Sequence, residues 1–152
     1  SGFVITNGSA YNGGGIYFNN NSNPIIKYVT ITENTIADDG GGIWCSGNSS
    51  LILENVMISG NTANSAGGGI FCPDSYSSLF LENVTISGNT ANGSGGGIFC
   101  GYDSSPSLMN TIVSDNTGNY GIYVEQNGNP SITYSNLYNN ENGNFYFSST
   151  NL

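Results

Sequence analysis

The chain has no histidine and no arginine, and Lys27 is its single basic residue among 152, against ten acids for a formal net charge of −9. A phosphate backbone is bound by clusters of cations that displace counterions, so nucleic acid is excluded as a partner. No apolar run approaches the length needed to cross a bilayer, and Ser1-Gly2-Phe3 has neither the charge nor the apolar stretch of a secretory leader; no membrane insertion is expected. Cysteines number three, an odd count without a Cys-x-x-Cys pair, which with no histidine leaves a metal centre poorly supplied with ligands. An acidic surface so poor in lysine suits an extracellular or cell-surface location, where negative charge keeps the protein soluble.

What the chain has instead is repetition. Gly13-Gly14-Gly15-Ile16 returns as Gly40-Gly41-Gly42-Ile43, Gly67-Gly68-Gly69-Ile70, Gly95-Gly96-Gly97-Ile98 and, eroded, Tyr120-Gly121-Ile122. The isoleucines are 27, 27, 28 and 24 residues apart. A second phrase keeps a constant offset: Val29-Thr30-Ile31-Thr32-Glu33-Asn34, Val56 to Asn61, Val84 to Asn89, and Thr111 to Asn116. A third precedes it, at Pro24-Ile25-Ile26, Ser50 to Leu53, Ser78 to Leu81, Pro106 to Leu108 and Pro130 to Ile132. Such a period, with glycine turns and no helical spacing of apolar residues, predicts an all-β parallel solenoid. We expect about six coils of 23–28 residues with three short strands per coil, forming a single domain over residues 1–152 that is uncapped at both ends.

Alternation along a strand sorts side chains into inward and outward columns. The inward ones read Ile26, Leu53, Leu81, Leu108, Ile132; Ile31, Ile58, Ile86, Val113, Leu137; Ile16, Ile43, Ile70, Ile98, Ile122; and Phe18, Cys45, Cys72, Cys100, Val124. Cys45, Cys72 and Cys100 are thus expected as a stack of small buried hydrophobes, since parallel in-register Cβ vectors are poorly placed for a disulfide. Asn34, Asn61, Asn89 and Asn116, continued by Asn140, form an amide ladder in which each side chain donates to the next, and asparagine tolerates the left-handed backbone of a tight turn. Outward from the glycine turn run Tyr17, Trp44, Phe71, Phe99, Tyr123 and Tyr146. Such an aromatic stripe is either a contact for glycan or a neighbouring protomer, or a seam covered by the loops at residues 73–78 and 101–106.

These phrases resemble the right-handed parallel β-helix of the pectin-lyase-like superfamily, above all the Gly-Gly-Gly-Ile-aromatic-Cys and Asn-Val-Thr-Ile-Ser-Gly-Asn repeats of large secreted surface proteins and the related repeats of chlamydial polymorphic outer-membrane proteins. The resemblance implies the handedness of the winding and leaves the activity open, since the superfamily spans lyases, hydrolases, tailspikes, adhesins and non-catalytic stalks. Lyases of this kind abstract a proton with Arg or Lys, and here Lys27 stands alone. Glu54 and Glu82 occupy equivalent positions on neighbouring coils, the arrangement a retaining glycosidase needs, but Lys27 in the same column offsets Glu54 and the column faces solvent. The chain is therefore expected not to be an enzyme. No cofactor is expected; a structural calcium ion would fall to Asp38, Asp39, Asp74 and Asp103. An outward array of Thr30, Thr32, Ser59, Thr85, Ser87 and Ser114 suits ice binding poorly, because Met57 and Ile112 interrupt it.

Phe3 to Gly8 aligns with Val29 to Asn34, and Phe145-Tyr146-Phe147 with Ile122-Tyr123-Val124, so Leu152 stops close to the phase at which Ser1 starts. The leading expectation is an extracellular structural protein whose copies stack head to tail into a fibre or stalk. The alternative is a fragment of a larger cell-surface adhesin or polysaccharide-binding or polysaccharide-processing β-helix protein.

Overall fold

The computed structural model describes residues 2–75 and 77–148, and every regular element among them is a β-strand. The chain winds through four parallel sheets in turn. Sheet A takes Phe3–Thr6, Val29–Thr32, Met57–Ser59, Thr85–Ser87, Ile112–Ser114 and Asn136–Tyr138. Sheet B takes Ser9–Ala10, Thr35–Ile36, Thr62–Ala63, Thr90–Ser94 and Thr117–Asn119. Sheet C takes Ile16–Phe18, Ile43–Cys45, Ile70–Cys72, Ile98–Cys100, Ile122–Val124 and Phe145–Phe147. Sheet D takes Ile25–Lys27, Ser50–Glu54, Ser78–Glu82, Ser107–Met109 and Ser131–Thr133. Each sheet is five or six strands deep, one strand per coil.

Sheets A, C and D are the three strands of the repeat. Sheet B is a fourth that strand-length reasoning passed over, because most of its strands are only two or three residues long. Its signal is the residue pair after each ladder asparagine, as in Asn61-Thr62-Ala63 and Asn89-Thr90-Ala91. Ile36, Ala63 and Ala91 of this sheet are buried and close the fourth wall of the core.

Register is vertical in sheets A, C and D, and in sheet B it shifts once, between Thr90 and Ser94 against Thr117 and Asn119. Ile43, Ile70, Ile98 and Ile122 pair in sheet C, Leu53, Leu81, Leu108 and Ile132 in sheet D, and Ile31, Ile58, Ile86, Val113 and Leu137 in sheet A. In the middle coils these side chains lose all or nearly all contact with water, and each buried isoleucine or leucine stabilises the fold by about 1.5–3 kcal/mol. Leu51 and Leu79 add a second inward pair at the start of the sheet D strands. Lone coils could not do this; each side chain is covered from above and below by its counterparts.

Corners between sheets turn through left-handed residues. Between D and A these are Tyr28, Asn55, Asn83, Asn110 and Tyr134, with φ from 49° to 58°. Between A and B they are Asn7, Glu33, Gly60, Gly88, Asp115 and Asn139, each one place before the ladder position. The expectation that the ladder asparagine itself takes the left-handed conformation is corrected: its neighbour bends the chain, which leaves the ladder residue free to turn its amide inward.

Candidate functional site

Each ladder amide is saturated. Asn61 Nδ2 donates to Asn89 Oδ1 at 2.9 Å and to the Ile31 carbonyl at 3.0 Å, while its Oδ1 accepts from Asn34 Nδ2 at 2.8 Å and Asn34 N at 3.1 Å. Asn89 repeats the pattern with Asn116, Ile58 and Asn61, and Asn116 with Asn140, Ile86 and Asn89. At the two outer levels other residues complete it: Gly8 N donates to Asn34 Oδ1 at 2.9 Å, and Asn144 Oδ1 accepts from Asn140 Nδ2 at 3.1 Å. The third glycine of each triad lies against the column. A Cβ on Gly69 would sit 2.6 Å from the Gly97 carbonyl oxygen and 3.3 Å from Asn89 Nδ2. That contact explains why the triad ends in glycine; a ladder so enclosed has no group left for a ligand.

The thiols of Cys45, Cys72 and Cys100 are free and buried in one column of sheet C, on three successive coils. The hydrogen bond that Cys72 donates to Cys45, with burial, holds the Cys72 thiol well above its ordinary value and the same bond holds Cys45 below its own, while burial pushes Cys100 up to about 12. At neutral pH the Cys72 and Cys100 thiols are therefore protonated and inert as nucleophiles.

The rings of Tyr17, Trp44, Phe71, Phe99, Tyr123 and Tyr146 stack consecutively along the outside of sheet C, with centroids 4.7–6.0 Å apart. Tyr17 is half exposed, whereas Phe71 retains 7 % of its surface. A Cβ on Gly67 would lie 2.6 Å from Phe71 Cβ, so the glycine turn of the same coil shields the base of the stripe. Phe71 therefore offers no open face, while Trp44, Phe99 and Tyr123 are partly exposed. Of the covering loops, Tyr76 lies outside the described residues; Gly47 N donates to the Asp74 carboxylate, and Ser104 Oγ donates to the Asp74 carbonyl at 3.1 Å.

The acids are dispersed. Lys27 Nζ pairs with Glu54 at 2.7 Å on the outer face of sheet D, and Glu82 follows Glu54 in register. A shallow hollow of about 190 Å³ there is lined by both glutamates with Phe80 and Met109. Asp39 accepts from Ala66 N at 2.7 Å and so caps a turn. Among the described residues no three acids or thiols are gathered as metal ligands, and no helix is long and apolar enough to cross a membrane.

The sequence reading missed a concavity that runs along the corner between sheets D and A. It consists of two contiguous hollows of about 620 and 420 Å³ that share Asn83 and Thr85. One wall is the corner column Tyr28, Asn55, Asn83, Asn110, Tyr134, held level by level through backbone bonds such as Asn55 N to the Glu82 carbonyl at 3.0 Å. The floor is the outward column of sheet A, where Thr30, Met57, Thr85, Ile112 and Asn136 are in register. No charged side chain lines either hollow. The available signal was the left-handed residue at constant offset after each sheet D strand, visible as Tyr, Asn, Asn, Asn, Tyr.

A family model described as a right-handed β-helix region matches residues 14–152. The chain belongs to the right-handed β-helix family. Its four-sheet winding with in-register columns is that architecture, and the resemblance stated from the repeats holds over nearly the whole chain. No curated protein and no solved structure matches the β-helix.

Proposed function

We propose that this β-helix is a non-catalytic structural rod of an extracellular or cell-surface assembly, in which copies stack head to tail into a fibre or stalk. The observation that carries the reading is the rung-by-rung saturation of the ladder through five asparagines, which makes consecutive coils mechanically equivalent and leaves the ladder amides no group for a ligand. The strands of the outermost described coils offer the same parallel edges that every inner coil uses to bind the next, and edges of this kind pair with further strands. The phase match between Ser1 and Leu152 lies outside the described residues. The alternative, in which the neighbouring coils belong to a longer adhesin in cis, uses the same edges.

Electron microscopy and sedimentation of the purified chain separate the two. Filaments with an axial repeat of roughly 25–29 Å, five to six strand spacings, are expected. Dispersed particles at high concentration would contradict self-stacking. The non-catalytic part is tested separately: cleavage of any polysaccharide that disappears in Glu54→Gln or Glu82→Gln would overturn it.

A further inference from the structure

We infer that the groove at the corner of sheets D and A binds an uncharged, linear glycan, clamped at its two ends by Tyr28 and Tyr134. The inference goes beyond the rod and does not depend on self-stacking.

The first observation is conformational. At the five levels of this corner the backbone is left-handed, a region that L-residues other than Gly, Asn and Asp enter at a cost. Asn55, Asn83 and Asn110 fill the three inner levels, as backbone preference dictates. The outer two carry tyrosine, at φ 58° for Tyr28 and 50° for Tyr134. Neither ring recovers that cost by packing: Tyr28 is 65 % exposed and Tyr134 90 %. Large aromatic side chains held in a disfavoured conformation and left in water point to a role outside the fold.

The second is the character of the space between them. Four strand spacings separate the two tyrosines, roughly 19 Å along the rod axis. The wall between presents side-chain amides, and the Asn110 amide donates to Asn83 Oδ1, which orders the row. The floor alternates hydroxyl and apolar groups: Thr30, Met57, Thr85, Ile112. A sugar ring has the same duality, with C–H groups on its faces and hydroxyls around its rim. Amides supply both donors and acceptors for hydroxyls, and exposed tyrosines supply faces for stacking. On a chain of net charge −9, a groove lined without a carboxylate suits a neutral ligand over a cationic one, and the lack of any cation within it disfavours uronates and phosphates. No acid pair faces the groove, so the glycan is held and not cut.

The test uses the intact chain in affinity electrophoresis and calorimetry with neutral β-glucan, xylan and mannan hexasaccharides, and with oligogalacturonate as a charged comparator. Tyr28→Asn and Tyr134→Asn substitute the residue used at the inner levels, so both variants should fold with unchanged or higher thermal midpoints. Each should lose at least tenfold in affinity for the neutral glycan that the native chain binds, and Tyr11→Ala, on another exposed ring, should lose none. Shortening the glycan until it no longer spans both tyrosines should abolish the additional loss from the second substitution. The proposal is overturned if no neutral hexasaccharide binds, if only the charged one does, or if the Tyr→Asn variants bind like the native chain. A fall in midpoint in both variants would also overturn it, by showing that the rings serve the fold.

Discussion

Two columns of asparagine run along this β-helix, one through five coils and one through the three inner ones, and their fates are opposite. The ladder at the A–B corner, Asn34 to Asn140, is buried, and its amides exchange hydrogen bonds from level to level. The column at the D–A corner, Asn55, Asn83 and Asn110, stands on left-handed backbone and turns its side chains to the groove. In the first, the side chain is indispensable and the backbone ordinary. In the second, the backbone conformation selects the residue and the side chain remains available. The same residue type at the same period therefore reports structure in one place and surface chemistry in the other; the difference lies in which neighbour bends the chain.

The sharpest break of that comparison is Asn89→Ala against Asn83→Ala. Removing the Asn89 amide takes the side-chain partner from Asn61 N and from the Ile58 carbonyl, and one of two bonds from each of Asn61 Nδ2 and Asn116 Oδ1, all in the interior. Each unsatisfied buried group costs about 1–3 kcal/mol, so the expected loss is several kcal/mol in denaturant unfolding. Asn83→Ala removes no buried partner and should cost far less, close to the few tenths seen at surface positions. Equal losses would erase the distinction.

A smaller effect is expected from the packing behind the ladder. In Gly69→Ala the new Cβ would meet the Gly97 carbonyl 2.6 Å away, a backbone atom that cannot yield without moving the next coil. The cost should reach about 3 kcal/mol, the upper part of the range for overpacking. Unchanged stability would show that adjacent coils are less rigidly spaced than their hydrogen bonds imply.

The thiol column sharpens the contrast through pH. Burial raises the folded-state value of Cys100 to about 12, whereas an unfolded thiol ionises near 8.5. Above about pH 8.5 the unfolded chain therefore binds fewer protons than the folded one, and stability falls with rising pH until Cys100 itself ionises near 12. Thermal midpoints should decline over that window, and Cys100→Ala should flatten part of the decline. A native chain indifferent to pH between 8 and 11 would contradict the burial of Cys72 and Cys100.

The smallest effect has the opposite sign. Tyr28→Asn and Tyr134→Asn relieve left-handed tyrosines and should stabilise the β-helix by up to about 1 kcal/mol each, at the low end of the left-handed penalty. Measured by denaturant midpoint, a loss would place the two rings with the structural column.

Fold and core were legible because every inward column repeats a side chain at constant offset; Ile43, Ile70, Ile98 and Ile122 could be stacked from their positions alone. The ladder was legible for the same reason, although its left-handed neighbour was not, since glycine, aspartate, glutamate and asparagine all occupy that site. Sheet B escaped because a two-residue strand carries no alternation to read. The groove escaped because concavity is a property of the angle between sheets D and A. Tyr28 and Tyr134 are far apart in the sequence, and only the corner brings them into line with Asn55, Asn83 and Asn110. The aromatic stripe drew attention by its regularity, yet Phe71 is almost wholly shielded by the coil that presents it.

Hydrogen exchange of the asparagine side-chain amides, followed by NMR on the native chain, tests the division between the two columns most directly. Carboxamide protons of Asn61, Asn89 and Asn116 should exchange only through global unfolding, while those of Asn55 and Asn83 should exchange at near-solvent rates. Comparable exchange in both columns would contradict a β-helix built on one asparagine ladder and open for binding along the other.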